Sequence, residues 1–172
     1  MFAVIAVLLL SPAPQDAGQD CPIERAQYVL RAMPTITAQF HAVPRTDQWR
    51  SGYAMEMRFE ETGRRYWWLP DPGGSADNPG FYFTRGPGSA VTDNLGRLDF
   101  FGFDSDYTML ASIPVAGEPA PAHFLLYNMR AAYWYGTPGD RREDAGPRSL
   151  FDFAACAAPD KSPPAVEMPE MP

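Results

Sequence analysis

Apolar and polar residues alternate over many short segments of the chain, and a period of two is typical of half-buried antiparallel strands. The clearest segment is 53–60, where every odd-numbered residue is large and apolar while Glu56 and Arg58 stand at even positions. Gly63 follows and can adopt a positive φ, which favours a tight turn. An aromatic segment, 65–69, comes next. The pattern predicts a β-hairpin whose odd-numbered side chains, up to residue 59, face the core.

Other short strand-like segments are bounded by Gly, Pro and Asp, which favour turns. They are residues 35–42, 81–84, 98–103, 123–127, 132–135 and 149–153. Residues 23–33 fit a helical stripe and a strand equally well, and we expect a strand over 26–32. Residues 149–158 are ambiguous too, because their alanines favour helix. The whole pattern predicts a mainly β fold, namely a single antiparallel β-sandwich or small barrel of about eight short strands that allows one short terminal helix.

The two ends of the chain differ from this pattern. Residues 2–10 form one apolar run, which is much shorter than the roughly 20 residues of a membrane-spanning helix. We interpret residues 1–20 as a signal peptide or another apolar export segment, with an uncleaved anchor or a misplaced start as alternatives. Residues 159–172 contain five prolines and no aromatic residue, which predicts a disordered or polyproline-II tail. A single β-rich domain is left between them, over residues 21–158.

The chain has two cysteines, Cys21 and Cys156, one at each edge of the predicted domain. In an exported protein an even number of cysteines indicates a disulfide. A lipid on Cys21 is the alternative, although Gln19 and Asp20 do not fit a lipidation site. We expect the two cysteines to be joined in a periplasmic or secreted protein with no stable transmembrane span.

Charge and motifs narrow the classes of function. The formal net charge of −7 argues against nucleic-acid binding, because phosphate contacts need an excess of Lys and Arg. The sequence has no phosphate-binding loop, zinc-binding helix or nucleophile elbow. We therefore expect no cofactor and no metal, and the motifs favour a protein that is not an enzyme.

Asp104 and Asp106 are the most suggestive acidic residues, since carboxylates two positions apart point the same way in an extended chain. With His123 they define an alternative function, a small hydrolase. The more ordinary interpretation is a turn after a strand, in which aspartate accepts hydrogen bonds from backbone N–H groups.

The aromatic triplets 66–68 and 133–135 are the remaining signal. Outward-facing rings bind ligands at a low cost in conformational entropy, although large aromatic residues are more often buried. The candidate binding residues are Tyr66, Trp68, Trp134 and Tyr135. The sequence favours an exported, non-catalytic binding or accessory module of the cell envelope, whose partner is a small molecule or an envelope protein. A β-barrel that carries an apolar ligand is a further alternative.

Overall fold

The strands form a closed antiparallel barrel in the computed structural model, which describes residues 20–47, 49–71, 79–89, 95–135 and 140–168. The strands of this part are β1 (Ala26–Leu30), β2 (Ile36–Ala42), β3 (Tyr53–Phe59), β4 (Arg64–Pro70), β5 (Gly80–Thr84), β6 (Arg97–Phe103), β7 (His123–Leu126) and β8 (Phe151–Cys156). One α-helix, α1 (Met129–Tyr135), and two 3₁₀ helices, Ile23–Arg25 and Asp140–Asp144, complete the list. The mainly β prediction is confirmed, and of its two forms the barrel is the one observed.

Each strand pairs with the next one along the chain, and β8 pairs back with β1. Among the described strands, this closure leaves no open strand edge. The predicted hairpin is confirmed: Met57 of β3 lies opposite Tyr66 of β4, and Gly63 has a φ of +68° in the turn. The ambiguous segments 23–33 and 149–158 both contribute strands, and the strand expected over 26–32 is observed as β1, whose buried residues alternate with partly buried ones.

Aromatic rings fill the interior of the barrel. The centroid of the Phe40 ring lies 5.6 Å from that of Tyr28 and 5.9 Å from that of Phe124. Phe124 in turn stacks on Phe100 at 5.3 Å and on Phe151 at 4.7 Å. Small barrels of eight strands are just wide enough for side chains to fill them. The rings of these strands therefore occupy the space in which a carrier barrel would hold its ligand.

One disulfide joins Cys21 to Cys156, with their Cα atoms 5.7 Å apart. Cys21 precedes β1 and Cys156 ends β8, so the bridge links the two flanks of the barrel where these strands pair. The predicted disulfide is thereby confirmed.

Residues 132–135 are helical, so the prediction of a strand there is wrong. Met129 and Tyr133 are four positions apart and both are buried, as on the inner face of a helix. The Tyr133 ring lies 5.2 Å from Phe59 and 4.7 Å from Tyr66. These contacts seat α1 across one end of the barrel, and burial at that position raises the pKa of the Tyr133 phenol.

The buried carboxylate of Asp144 holds the second 3₁₀ helix against the hairpin. It accepts hydrogen bonds from Thr62 Oγ1 at 2.7 Å, from Arg64 Nη1 at 3.1 Å and from the Tyr66 hydroxyl. A buried charge is stable only when it is paired and hydrogen-bonded in this way. The network therefore fixes the segment that follows α1.

Residues 159–168 lie against the outside of the barrel, whereas the proline content had predicted a solvated tail. Val166 and Met168 are partly buried against an outer apolar cluster, and Asp160 hydrogen-bonds with His41. Prolines prevent a regular strand but do not prevent an extended segment from packing. The predicted export segment, apart from residue 20, lies outside the described residues. In the part of the chain that is described, no helix has the length and apolar character needed to cross a membrane.

Candidate functional site

Asp104 and Asp106 lie in a turn that Asp104 itself stabilises. Asp104 Oδ1 accepts hydrogen bonds from the backbone N–H groups of Asp106 at 2.9 Å and Thr108 at 2.8 Å. This is the hydrogen bonding expected of an aspartate that begins a turn. The Asp104 carboxylate is thus engaged with its own loop.

His123 is oriented by Asp152 and not by either of these acids. Its Nδ1 lies 2.7 Å from Asp152 Oδ1, and Arg31 holds the same carboxylate at 2.8 and 2.7 Å through Nε and Nη2. The Arg31 hydrogen bonds, helped by His123, outweigh the effect of burial and keep the pKa of Asp152 below its usual value. The carboxylate therefore stays ionised between two basic partners.

Tyr107 covers the exposed side of this cluster. Its ring stacks on that of His123 with centroids 4.5 Å apart, and its hydroxyl accepts a hydrogen bond from Arg31 Nη2 at 3.0 Å. Tyr107 has a φ of +61°, a left-handed conformation that these contacts stabilise against its steric cost. Among the described residues His123 contacts Asp152 and Tyr107, and no serine, threonine or cysteine joins them as a nucleophile.

Tyr66 and Trp68, two of the four candidate binding residues, lie inside the barrel. Both are fully buried, and the Trp68 ring packs edge-on against Phe83 with centroids 5.5 Å apart. They lie opposite Met57 and Met55, which define the inner face of the hairpin. Their role is therefore to pack the core.

Trp134 and Tyr135, the other two candidates, lie on the outside at the end of α1. Their exposed fractions are 37% and 82%. Because Tyr133 points into the barrel, the next two positions turn towards solvent, as the 3.6-residue period of a helix requires. Both rings are thus exposed on the surface.

Three arginines surround these rings. The guanidinium carbons of Arg130 and Arg142 lie 5.5 and 5.3 Å from the centroid of Trp134. Arg148 lies 4.9 Å above the ring of Tyr127. We refer to the set Tyr127, Arg130, Trp134, Tyr135, Arg142 and Arg148 as the arginine–aromatic platform. Part of it lines a surface recess of about 370 Å³ formed by Arg130, Ala131, Trp134, Tyr135 and Arg148.

The platform differs from other arginine sites of the molecule. Arg58 is 2.5 Å from Glu56 and Arg97 is 2.5 Å from Asp99, so their charges are compensated within the chain. In the part that the structure describes, the platform arginines have rings as neighbours and no carboxylate partner.

The predicted strand over 132–135 gave no reason to place Arg130 beside Trp134. Arg130 and Trp134 are four positions apart and share a face only in a helix, whereas 132–135 had been predicted as a strand. The i, i+4 spacing of Met129 and Tyr133 was the signal that could have revealed the helix.

A second polar cluster lies on the outer face of β2 and β3. His41 Nε2 is 3.2 Å from Glu56 Oε2, and His41 Nδ1 is 2.9 Å from Asp160 Oδ2. Glu56 is also held by Arg58 and Arg65. Burial alone would lower the pKa of His41, but hydrogen bonds with Glu56 and Asp160 outweigh it and raise that pKa. Burial would raise the pKa of Glu56, but hydrogen bonds with His41 and Arg58 lower it.

These opposite shifts predict a pH dependence of stability. Protonated His41 contributes its full stabilisation below about pH 6.5, the ordinary histidine pKa, and loses it as the pH rises through the raised folded-state value. The lowered pKa of Glu56 keeps it ionised there, so its own loss occurs only at acidic pH. We expect His41→Gln to lower the urea midpoint more at about pH 6 than at about pH 8.5. A difference from the natural protein that stays constant or grows with pH would contradict this assignment.

Comparison of the chain with protein-family models, with curated proteins and with solved structures finds no significant match. Among the described residues, no group of three or more His, Cys, Asp or Glu side chains is placed to hold a metal ion.

Proposed function

We propose that the protein is an exported, non-catalytic binding module that recognises an anionic ligand at the arginine–aromatic platform. The observation that carries the proposal is that Arg130 and Arg142 both approach the Trp134 ring with no carboxylate beside them in the described part of the chain. A guanidinium without a carboxylate partner can donate its hydrogen bonds to a ligand, and the face of an aromatic ring holds it in position.

The chemistry of the platform indicates the class of ligand. A guanidinium presents a planar fork of N–H donors that matches a carboxylate or a phosphate. The exposed rings of Trp134 and Tyr135 offer flat apolar faces beside these donors. An acidic oligosaccharide fits both groups of the platform, because its carboxylates can accept hydrogen bonds from the guanidinium groups while the apolar faces of its sugar rings pack on the aromatic rings.

The alternative functions have weaker support. A hydrolase would need a nucleophile or an activated water at His123, whose described partners are Asp152 and Tyr107. Asp104, the proposed catalytic acid, instead accepts hydrogen bonds from the backbone of its own turn. A carrier of apolar ligands would need space in the barrel, which the rings around Phe40 and Phe124 fill. The platform is accessible in the structure as it stands.

Export is part of the proposal and rests on two features. The apolar run of residues 2–10 has the length of a signal-peptide core. The Cys21–Cys156 disulfide is the kind of bond that persists in the periplasm or outside the cell.

Binding to oligogalacturonate, measured by calorimetry, tests the platform, with the methyl-esterified oligosaccharide as its uncharged counterpart. We expect the acidic form to bind and the ester to bind at least about tenfold more weakly, a difference of roughly 1.4 kcal/mol. Trp134→Ala and Arg130→Gln should each weaken binding of the acidic form by a similar factor. Arg45→Gln, an exposed arginine that donates to Ala116 O, is the matched control and should leave it unchanged. Equal binding of the two oligosaccharides, or an equal effect of the control, would contradict the proposal.

A further inference from the structure

The barrel carries a second apolar cluster on its outside. Its members, all buried, are Val43, Trp49, Ala54, Trp67 and Leu69. Trp67 and Leu69 are odd-numbered positions of β4 and point away from Tyr66 and Trp68, which face the interior. The outer face of an antiparallel barrel in water is ordinarily polar, so a tryptophan-rich outer surface needs a cover.

That cover includes residues 159–168, which we call the strap. Val166 and Met168 of the strap pack on the outer cluster. Between them, the Glu167 N–H donates to Arg85 O at 2.7 Å, and the Thr84 hydroxyl donates to Glu167 O. Val166 and Met168 thus pack on the outer cluster, while Glu167 between them is held through its backbone by Arg85 and by the Thr84 side chain. We call the surface that the strap covers the groove.

Charge complementarity extends over the length of the strap. Asp160 lies 2.9 Å from His41, and Glu167 lies 3.5 Å from Arg85. The groove therefore offers a basic group to an acidic residue at each of two points, with apolar contacts beside the second. These contacts favour an extended segment in which an acidic residue stands between two apolar ones, as in Val166–Met168, and a second acidic residue precedes them, as Asp160 does.

The strap is held less firmly than the barrel. Most of its residues are exposed, Val166 and Met168 are only partly buried, and its prolines have no N–H to donate. Segments with few buried contacts open at a small fraction of the global unfolding free energy. A segment of this kind can be replaced without unfolding the protein that it covers.

We propose that the groove beneath the strap is a peptide-recognition site for a partner protein, and that the strap is its built-in competitor. The partner supplies an extended, proline-containing acidic segment that places two apolar side chains on the outer cluster, as Val166 and Met168 do. A tethered competitor acts at a high effective concentration, so the partner binds only in proportion to the fraction of molecules whose strap is released.

The test uses the full chain and a fluorescein-labelled peptide with the sequence of residues 159–168, followed by fluorescence anisotropy. We expect the natural protein to bind this probe weakly. A full-length Val166→Asp/Met168→Asp variant, whose strap cannot fill the groove, should bind it at least about tenfold more tightly. The same two substitutions made in the probe should abolish its binding to that variant, whereas Lys161→Gln in the probe should not. Because the doubly substituted probe is the more acidic, attraction to the arginine–aromatic platform would give the opposite order.

Three results would overturn the proposal. The first is equal binding of the probe by the natural and the variant protein, and the second is equal binding of the unaltered and the doubly substituted probe. The third is a natural protein that sediments as a dimer and a variant that sediments as a monomer, because the groove would then hold the strap of a second copy. None of these results bears on oligosaccharide binding at the platform, so the two proposals can fail separately.

Discussion

Phe40→Ala will destabilise the protein by about 3–5 kcal/mol, because it removes buried contacts and leaves a cavity. Phe40 stands among four rings of the barrel interior, and the Tyr53 and Phe81 rings lie 5.5 and 6.1 Å from it. A loss of this size is a large part of the roughly 5–15 kcal/mol by which a typical domain is stable. Equilibrium unfolding in urea should show a much lower midpoint or no folded baseline.

Gln39→Ala is the matched control for this substitution. Gln39 is the neighbouring residue of β2 and faces outwards, where changes usually alter stability by no more than about 0.5 kcal/mol. If Phe40→Ala proves as mild as Gln39→Ala, the rings around Phe40 do not form the core of the barrel.

Removal of the disulfide will have the second large effect. The bonded cysteines are 135 residues apart in the chain, and a crosslink over so long a loop restricts the unfolded state by about 5 kcal/mol in the chain-entropy model. We expect a Cys21→Ala/Cys156→Ala variant to lose about 2–5 kcal/mol, as small disulfide-bonded domains do. The readout is the urea midpoint of the oxidised protein.

Reduction of the natural protein provides the control for the cysteine variant. Reductant should bring the natural protein down to the stability of the variant and should leave the variant unchanged. If the variant matches the oxidised protein, the bridge does not contribute to stability, and if it remains far below the reduced protein, the alanines have disturbed packing around Cys21.

Local periodicity was sufficient to predict the features that depend on neighbouring residues. The hairpin of β3 and β4 follows from strict alternation up to Phe59 and from Gly63 in the turn. The Cys21–Cys156 bridge follows from two cysteines at the edges of one β-rich block in a chain with an export-like beginning. In both cases the deciding information lies within the segment or in the number of cysteines.

Features that depend on distant residues could not be predicted in this way. Alternation placed Glu56 on the outer face, but its ion pairs with His41 of β2 and Arg65 of β4 come from the neighbouring strands. Trp67 was expected to point away from Trp68, and it does, yet it is buried as well because other segments cover the outside. Only two of the six platform residues, Trp134 and Tyr135, were candidates from the sequence, since the platform arginines come from α1, the second 3₁₀ helix and a loop.

The ring of strands is not equally strong all the way round. β1 and β8 align five residue pairs, whereas β7 and β8 align only two, His123 with Asp152 and Phe124 with Phe151. If the barrel opens, we therefore expect β7 to separate from β8, and not the first strand, β1, to separate from the last strand, β8. Arg31, Asp152 and His123 straddle that junction, as their hydrogen bonds run from the end of β1 through β8 to β7. The His123–Asp152 pair resembles a catalytic dyad, but here it connects β7 and β8, the two neighbouring strands that align the fewest residues.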